Sequence, residues 1–193
     1  MKDTTVQEYP QNINESDGLD ILDRNISFVQ NCDNKASIFL GFFGVFFTIA
    51  LTTDGITNIV SLINGFLAGT TLCSKIYLFL LAASAAIMVF GLFKIICVLF
   101  AQLEFPNESR LDVDSKIFFG HIAKNNNYSD YRMKLSNLSK EEYWNDIASQ
   151  IYINSCICKN KYDLFNCGAK CSLIGFAGFI SLWIIGEFLM QPL

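Results

Sequence analysis

The sequence lacks the residue patterns of the common enzyme classes. It contains one histidine, His121, and has no His-Glu-x-x-His pair, no glycine-rich phosphate loop and no serine elbow. These absences remove the sequence signatures of metalloproteases, nucleotide hydrolases and serine hydrolases. We therefore predict that the chain is not a conventional enzyme.

An excess of basic residues is also lacking. The 14 Lys and Arg residues stand against 18 Asp and Glu residues, which gives a formal net charge of -4. Proteins that bind DNA or RNA neutralise the phosphates with a basic surface. No nucleic-acid partner is therefore predicted.

Long uncharged stretches, in contrast, are abundant. Hydrophobic residues make up 52% of the chain, and a helix of about 20 apolar residues crosses a hydrocarbon core of roughly 30 Å. Three stretches approach or exceed this length: 36–53, then 76–103 with Lys94 as its one charge, then 171–190 with Glu187 as its one charge. We predict three transmembrane helices. Buried helices of a soluble protein are the alternative, but too little amphipathic sequence remains to cover them.

The topology follows from the distribution of positive charge. Residues 104–170 contain nine Lys and Arg, so the positive-inside rule puts this segment and the N-terminus in the cytoplasm. Residues 54–75 then form an extracytoplasmic connection. We interpret the uncharged part, 55–74, as interfacial or re-entrant, with a fourth span left as an alternative. The first 30 residues are too polar for a signal peptide, so the first span is expected to act as the insertion signal.

The seven cysteines form neither a disulfide framework nor a metal site in this topology. Their number is odd, and only Cys73 is expected outside the cytoplasm. Cys156 and Cys158 point about 200° apart on a helix, whereas structural zinc needs four converging ligands. No metal site and no cofactor are predicted.

Capping residues and periodicity predict helices in the cytoplasmic part. Residues 1–16 are expected to be disordered, and a helix is expected from Asp17 into the first span, covering 17–53. A short helix is predicted over Ser115–Lys124, capped by Asp114 and stopped by the asparagines 125–127. Ser139 and Glu142 form a capping box, from which one helix can continue into the third span. The predicted fold is an all-α membrane protein with a small cytoplasmic helical domain whose helices are continuous with the first and third spans.

Two polar features stand out on these helices. Asp33 lies on the apolar stripe just below the first span, so its carboxylate is either functional or neutralised by a neighbouring cation. A second set lies within about 80° on one helical face and offers an acceptor, two amides and a cation: Asp146, Gln150, Asn154 and Lys161. Such a row can bind a small polar ligand, or it can form hydrogen bonds between helices or face solvent.

Several short motifs, in order from about residue 20 to 180, resemble the transmembrane effector of Pycsar, the bacterial anti-phage system that signals with cyclic pyrimidine nucleotides. They are Asp33-x-Lys35-Ala36-Ser37, Phe118-Phe119-x-His121-Ile122, Leu138-Ser139 through Asp146, and Gln150-Ile151-Tyr152-x-Asn154-Ser155-x-Ile157 to Lys161-Tyr162. The resemblance implies an effector of the bacterial inner membrane. A partner uridylate or cytidylate cyclase makes cyclic UMP (cUMP) or cyclic CMP (cCMP), and the effector binds it, impairs the membrane and stops growth or kills the infected cell.

Within this resemblance, the chemistry of the motif residues assigns candidate roles. The phosphate is expected at Lys161 or His121, and the base edge at Gln150 and Asn154. The remaining assignments are stacking of the base by Tyr162 or Phe119, a ribose contact by Asp146, and coupling to the spans by Asp33 and Lys35. Packing is the alternative for each aromatic residue and for His121. Because one three-helix protomer does not make a pore, we expect ligand-biased homo-oligomers.

Two other functions remain open. A constitutive membrane channel or scaffold would bind no nucleotide, and a regulatory subunit would dock a soluble enzyme through its cytoplasmic helices. A neighbouring cyclase gene would favour the effector.

Overall fold

The computed structural model describes residues 14–100 and 115–190. These residues form helices and turns, and no strand occurs among them. The all-α prediction is therefore confirmed for the described chain. The helices are α1 Glu15–Ala50, α2 Thr53–Ala68, α3 Leu72–Leu99, α4 Phe119–Ile122, α5 Tyr128–Ser136 and α6 Lys140–Met190.

The start of α1 lies two residues before the predicted one. The side chain of Asn14 accepts a hydrogen bond from the Asp17 backbone N–H at 3.0 Å, and the Asp17 carboxylate accepts one from the Asn14 N–H at 3.1 Å. This reciprocal capping box fixes the first turn. The predicted disordered tail is therefore wrong for residues 14–16, and its residues 1–13 lie outside the described residues.

The described chain divides into two compact units, which we call the polar unit and the membrane unit. The polar unit comprises residues 14–29 and 115–158, and the membrane unit comprises residues 30–100 and 159–190. Helices α1 and α6 contribute residues to both. Each unit has its own packing.

The membrane unit contains the apolar stretches of three long helices. Helices α1, α3 and α6 are long and apolar enough to cross a membrane, as predicted. Their outer faces expose large apolar side chains, among them Ile38, Phe79 and Phe188, which are 72–75% exposed. A soluble protein rarely shows so extensive an apolar surface, whereas lipid tails accept it without cost. The protein is therefore a membrane protein.

Helix α2 occupies most of the connection between the first two spans. Its 16 residues rise about 24 Å, which falls short of a hydrocarbon core of roughly 30 Å. Leu62 is buried against Tyr77 and Leu81 of α3, and the Tyr77 hydroxyl donates a hydrogen bond to the Leu182 carbonyl of α6 at 2.7 Å. Helix α2 thus packs on α3 through its buried leucine. The interfacial or re-entrant placement of 55–74 stays a prediction.

Close backbone approach holds α3 against α6. A Cβ atom on Gly175 of α6 would lie 2.7 Å from the Ser84 carbonyl oxygen and would contact the Met88 backbone nitrogen. A Cβ on Gly91 of α3 would likewise contact Ser172. These glycines therefore pack within one protomer, because only a residue without a side chain fits between the two backbones.

The polar unit differs most from the prediction. Only Phe119–Ile122 is helical in the predicted segment 115–124, because the Lys116 backbone N–H and the Ser115 side chain form other hydrogen bonds. The predicted cap Asp114 lies outside the described residues. Helix α5 was not predicted. Helix α6 begins at Lys140, directly after Ser139 of the predicted capping box. In this box the Glu142 N–H donates to Ser139 Oγ at 3.2 Å, and the Ser139 N–H donates to Glu142 Oε2 at 2.8 Å.

Candidate ligand-binding site

A tight turn, residues 115–118, forms the centre of the polar unit. The hydroxyl oxygen of Ser115 accepts hydrogen bonds from the backbone N–H groups of Ile117 at 3.3 Å and Phe118 at 3.0 Å. Ser115 is 2% exposed, so the turn is closed by a buried serine. Two local hydrogen bonds to one buried hydroxyl therefore stabilise the turn.

The turn is tied to three helices by hydrogen bonds. The Ser115 N–H donates to Nδ1 of His121 on α4 at 3.2 Å, and the Lys116 N–H donates to Oδ2 of Asp146 on α6 at 2.7 Å. The Tyr131 hydroxyl of α5 donates to the Lys116 carbonyl at 3.1 Å. Two consecutive backbone N–H groups thus position two of the predicted site residues.

Asp146 is the buried acidic group of this unit. It is 1% exposed, and while Oδ2 accepts the Lys116 N–H, Oδ1 is buried without a hydrogen-bond partner among residues 14–100 and 115–190. A buried acceptor that lacks a donor costs about 1–3 kcal/mol, and more when it is charged. The carboxylate therefore has an unused capacity to accept a hydrogen bond.

The imidazole ring of His121 offers a hydrogen-bond donor. Because Nδ1 accepts the Ser115 N–H, the proton of the neutral imidazole lies on Nε2. The Phe118 ring packs edge-on at 5.3 Å between ring centroids, and the neighbouring Phe119 is 66% exposed. A ring donor and an exposed aromatic face therefore lie on the same short helix.

Two amide residues follow Asp146 on α6. Gln150 is buried, at 4% exposure, one helical turn beyond Asp146. Asn154 donates its Nδ2 to the Gln150 carbonyl at 2.8 Å, so one amide hydrogen serves the helix itself. Of the two predicted base-reading amides, Gln150 is thus the one on the buried face beside Asp146.

Lys161 and Tyr162 lie in the membrane unit. The Lys161 ammonium contacts Oδ1 of Asp33 on α1 at 2.6 Å, and the Lys35 ammonium lies 5.3 Å from the centroid of the Tyr162 ring. Asp33 is therefore neutralised by a cation, which was one of the two predicted alternatives. The structure brings together His121 and Asp146 through one turn, and Asp33, Lys35, Lys161 and Tyr162 in a second group.

Several residues that hold the polar unit together were not predicted from sequence. Asn25 of α1 donates its side-chain amide to Ser155 Oγ at 2.8 Å and to the Ile151 carbonyl at 3.3 Å, which joins α1 to α6. Ser115 and Tyr131 hold the turn. Only α5 carried a recognisable signal, because Asn127 caps it by accepting the Asp130 N–H.

The comparisons with known proteins agree with the resemblance. The Pycsar effector protein domain family matches residues 18–186. The Pycsar effector protein GmPycTM of Gulbenkiania mobilis is 26% identical over 178 residues, which cover 87% of this chain and 90% of that protein. No solved structure matches the chain. Since the family match spans both units, this chain belongs to the Pycsar effector family, whose members are anti-phage effectors and not enzymes, as the sequence predicted.

Proposed function

We propose that this effector binds a cyclic pyrimidine mononucleotide, cUMP or cCMP, in its polar unit and then impairs the bacterial inner membrane. A uridylate or cytidylate cyclase supplies the nucleotide when a phage infects the cell. Arrest or death of that cell stops the phage.

The single observation that carries this proposal is the unsatisfied carboxylate of Asp146 beside a turn that also orients His121. A cyclic nucleotide offers an anionic phosphate, a hydroxyl and a base edge with donors and acceptors. The Nε2–H of His121 suits the phosphate, and the buried amide of Gln150 suits the base edge. The exposed ring of Phe119 offers a stacking face.

The second group of predicted residues serves a different purpose in this proposal. A phosphate at Lys161 would have to compete with the Asp33 carboxylate, which already contacts the ammonium at 2.6 Å. We therefore assign Asp33, Lys35, Lys161 and Tyr162 to the coupling between ligand and spans. Helices α1 and α6 contribute to both units, so a ligand that favours one arrangement of these helices shifts the spans with them.

The proposed topology puts the N-terminus and the polar unit in the cytoplasm. The positive-inside rule supports it, since nine Lys and Arg lie between residues 104 and 170. Membrane damage then requires an oligomer, because three helices do not enclose a channel. Gly41 and Gly44 of α1 support this step: a Cβ atom there would meet nothing within 4 Å, so both leave room for another helix.

Isothermal titration calorimetry on the detergent-purified chain tests the binding step. We expect heat of binding with cUMP or cCMP and none with cyclic AMP. His121→Ala should weaken binding at least tenfold, since a hydrogen bond to a charged group contributes about 1.5–3 kcal/mol. His121→Gln, which keeps a polar side chain, separates loss of the ring donor from collapse of the turn.

The matched control is Lys124→Ala, an exposed residue just after α4 that should leave binding unchanged. Absence of binding to every nucleotide by protein that elutes as a folded species would leave the constitutive channel or scaffold as the better account.

A further inference from the structure

The geometry of Asp146 points to a specificity that rests on the proposed function: we infer that Asp146 reads the ribose 2′-hydroxyl, so that the effector distinguishes ribonucleotides from 2′-deoxyribonucleotides. The two oxygens of this carboxylate differ in their hydrogen bonds. Oδ2 accepts the Lys116 N–H at 2.7 Å, and Oδ1 is buried without a partner among the described residues. A carboxylate oxygen accepts hydrogen bonds, so the group that completes this site is a donor.

The chemistry of a 3′,5′-cyclic nucleotide limits which donor this is. Its phosphate ring uses both the 3′ and the 5′ oxygen, and the phosphate carries no proton at neutral pH. The 2′-hydroxyl is therefore the one hydroxyl of the sugar. Bonds from a hydroxyl to a carboxylate are among the short and strong ones, which matches a buried and fixed acceptor.

The order of the contacts supports the hydroxyl over the base edge. The Ser115 N–H fixes His121 and the next N–H, that of Lys116, fixes Asp146. In the ligand, the carbon that carries the 2′-hydroxyl adjoins the carbon whose oxygen enters the phosphate ring. A phosphate at His121 and a 2′-hydroxyl at Asp146 would thus be adjacent groups of one ligand, held by side chains that consecutive backbone N–H groups position. Gln150, with a donor and an acceptor, remains for the base.

Burial gives this contact a second consequence. Asp146 is 1% exposed, so a ligand hydroxyl reaches Oδ1 only when the side chains over it move. Occupation of the site is then coupled to movement of the groups that cover Oδ1. A ligand without the hydroxyl gains no hydrogen bond that offsets the cost of this movement, so its affinity and its ability to activate the effector fall together.

The test compares cUMP and cCMP with their 2′-deoxy 3′,5′-cyclic analogues on the full chain in detergent. We expect the ribonucleotide to bind about tenfold to a hundredfold more tightly, the range for a hydrogen bond to a charged group. In Asp146→Leu, which has a similar shape and no acceptor, the ratio of ribonucleotide affinity to deoxyribonucleotide affinity should fall to within about threefold of one. Asp146→Asn keeps an acceptor for the Lys116 N–H and replaces the leucine variant in this test if that variant does not fold. The same affinity ratio should fall severalfold in Asp146→Asn.

Asn145→Ala changes the exposed neighbour on the same helix and should keep the ratio of the parent chain. Equal affinity of the parent chain for both sugars would overturn the inference and leave the proposed function standing. Discrimination that survives in whichever Asp146 variants fold would also overturn it. Failure to bind any of these nucleotides would overturn both.

Discussion

The ammonium of Lys161 on α6 contacts the carboxylate of Asp33 on α1 at 2.6 Å, and the lysine is 4% exposed. Burying an ammonium without a counter-charge costs several kcal/mol. Asp33 supplies that charge and stays about one-third exposed. The pair therefore explains why an acidic residue lies just before an apolar span.

Removal of one partner should destabilise the membrane unit. We expect Asp33→Asn to lower the free energy of unfolding by about 1–3 kcal/mol, a value between those of exposed and fully buried pairs. Asp33→Asn combined with Lys161→Met should be more stable than Asp33→Asn alone, because no unpaired ammonium remains. Thermal unfolding in detergent measures both, and Lys159→Met, on the exposed side of α6, should have little effect. A double variant that is no more stable than Asp33→Asn would contradict the pairing.

Close packing of α3 on α6 makes a second prediction. Gly175→Ala should destabilise the chain by about 1–3 kcal/mol, since its new methyl group would overlap the backbone of Ser84 and Met88. Gly44→Ala, compared in the ligand-free chain, is the matched control, because a Cβ there meets nothing within 4 Å in the same protomer. It should leave the stability unchanged or raise it by up to about 1 kcal/mol. Equal losses of thermal stability for the two variants would contradict the packing.

The spans were predictable from sequence because a membrane demands long apolar stretches, and 36–53, 76–103 and 171–190 stand out by length and lack of charge alone. The capping box at Ser139 was equally local, since it needs two residues at a fixed spacing. Asp33 was also recognisable from local sequence, because it is a charged residue on the apolar stripe just below the first span. Its partner Lys161 could not be identified in this way, because it lies 128 positions away in the sequence.

The turn at 115–118 shows why the site was harder to predict. Ser115 follows Asp114 and precedes apolar residues, which is a typical helix start. The Lys116 N–H, however, donates to Asp146, 30 positions later, so the chain turns where a helix was expected. Tertiary hydrogen bonds of this kind outweigh local propensity, and no spacing rule reveals them.

The capping box of α6 predicts a dependence of stability on pH. The pKa of Glu142 lies below its usual value, first because its carboxylate accepts the Ser139 backbone N–H and then because it accepts the Ser139 hydroxyl. The folded-state pKa is thus lower than the unfolded one. The cap therefore contributes its full stability above the unfolded pKa and loses it as the pH falls through the folded pKa. Thermal unfolding of the parent chain and of Glu142→Gln across acidic pH should show a difference that shrinks as the pH falls. A constant difference would contradict this account.

The proposed topology predicts which thiol is accessible from outside the cell. Cys73 is exposed at the start of α3, and the proposed topology puts it outside the cytoplasm. A membrane-impermeant maleimide should label the parent chain in spheroplasts and should not label Cys73→Ser. The exposed Cys167 should react only after the membrane is permeabilised. Labelling of Cys73→Ser in intact spheroplasts would contradict the proposed topology, because another thiol would then be accessible from outside the cell.

The central claim is that a cyclic pyrimidine nucleotide makes this protein damage a membrane. The most direct measurement is release of a trapped dye from liposomes that contain the purified chain, with nucleotide added on the side of the polar unit. We expect cUMP or cCMP to cause release, cyclic AMP to cause none, and His121→Ala to need a higher nucleotide concentration. Release that is the same with and without nucleotide would contradict the account and identify a constitutive channel.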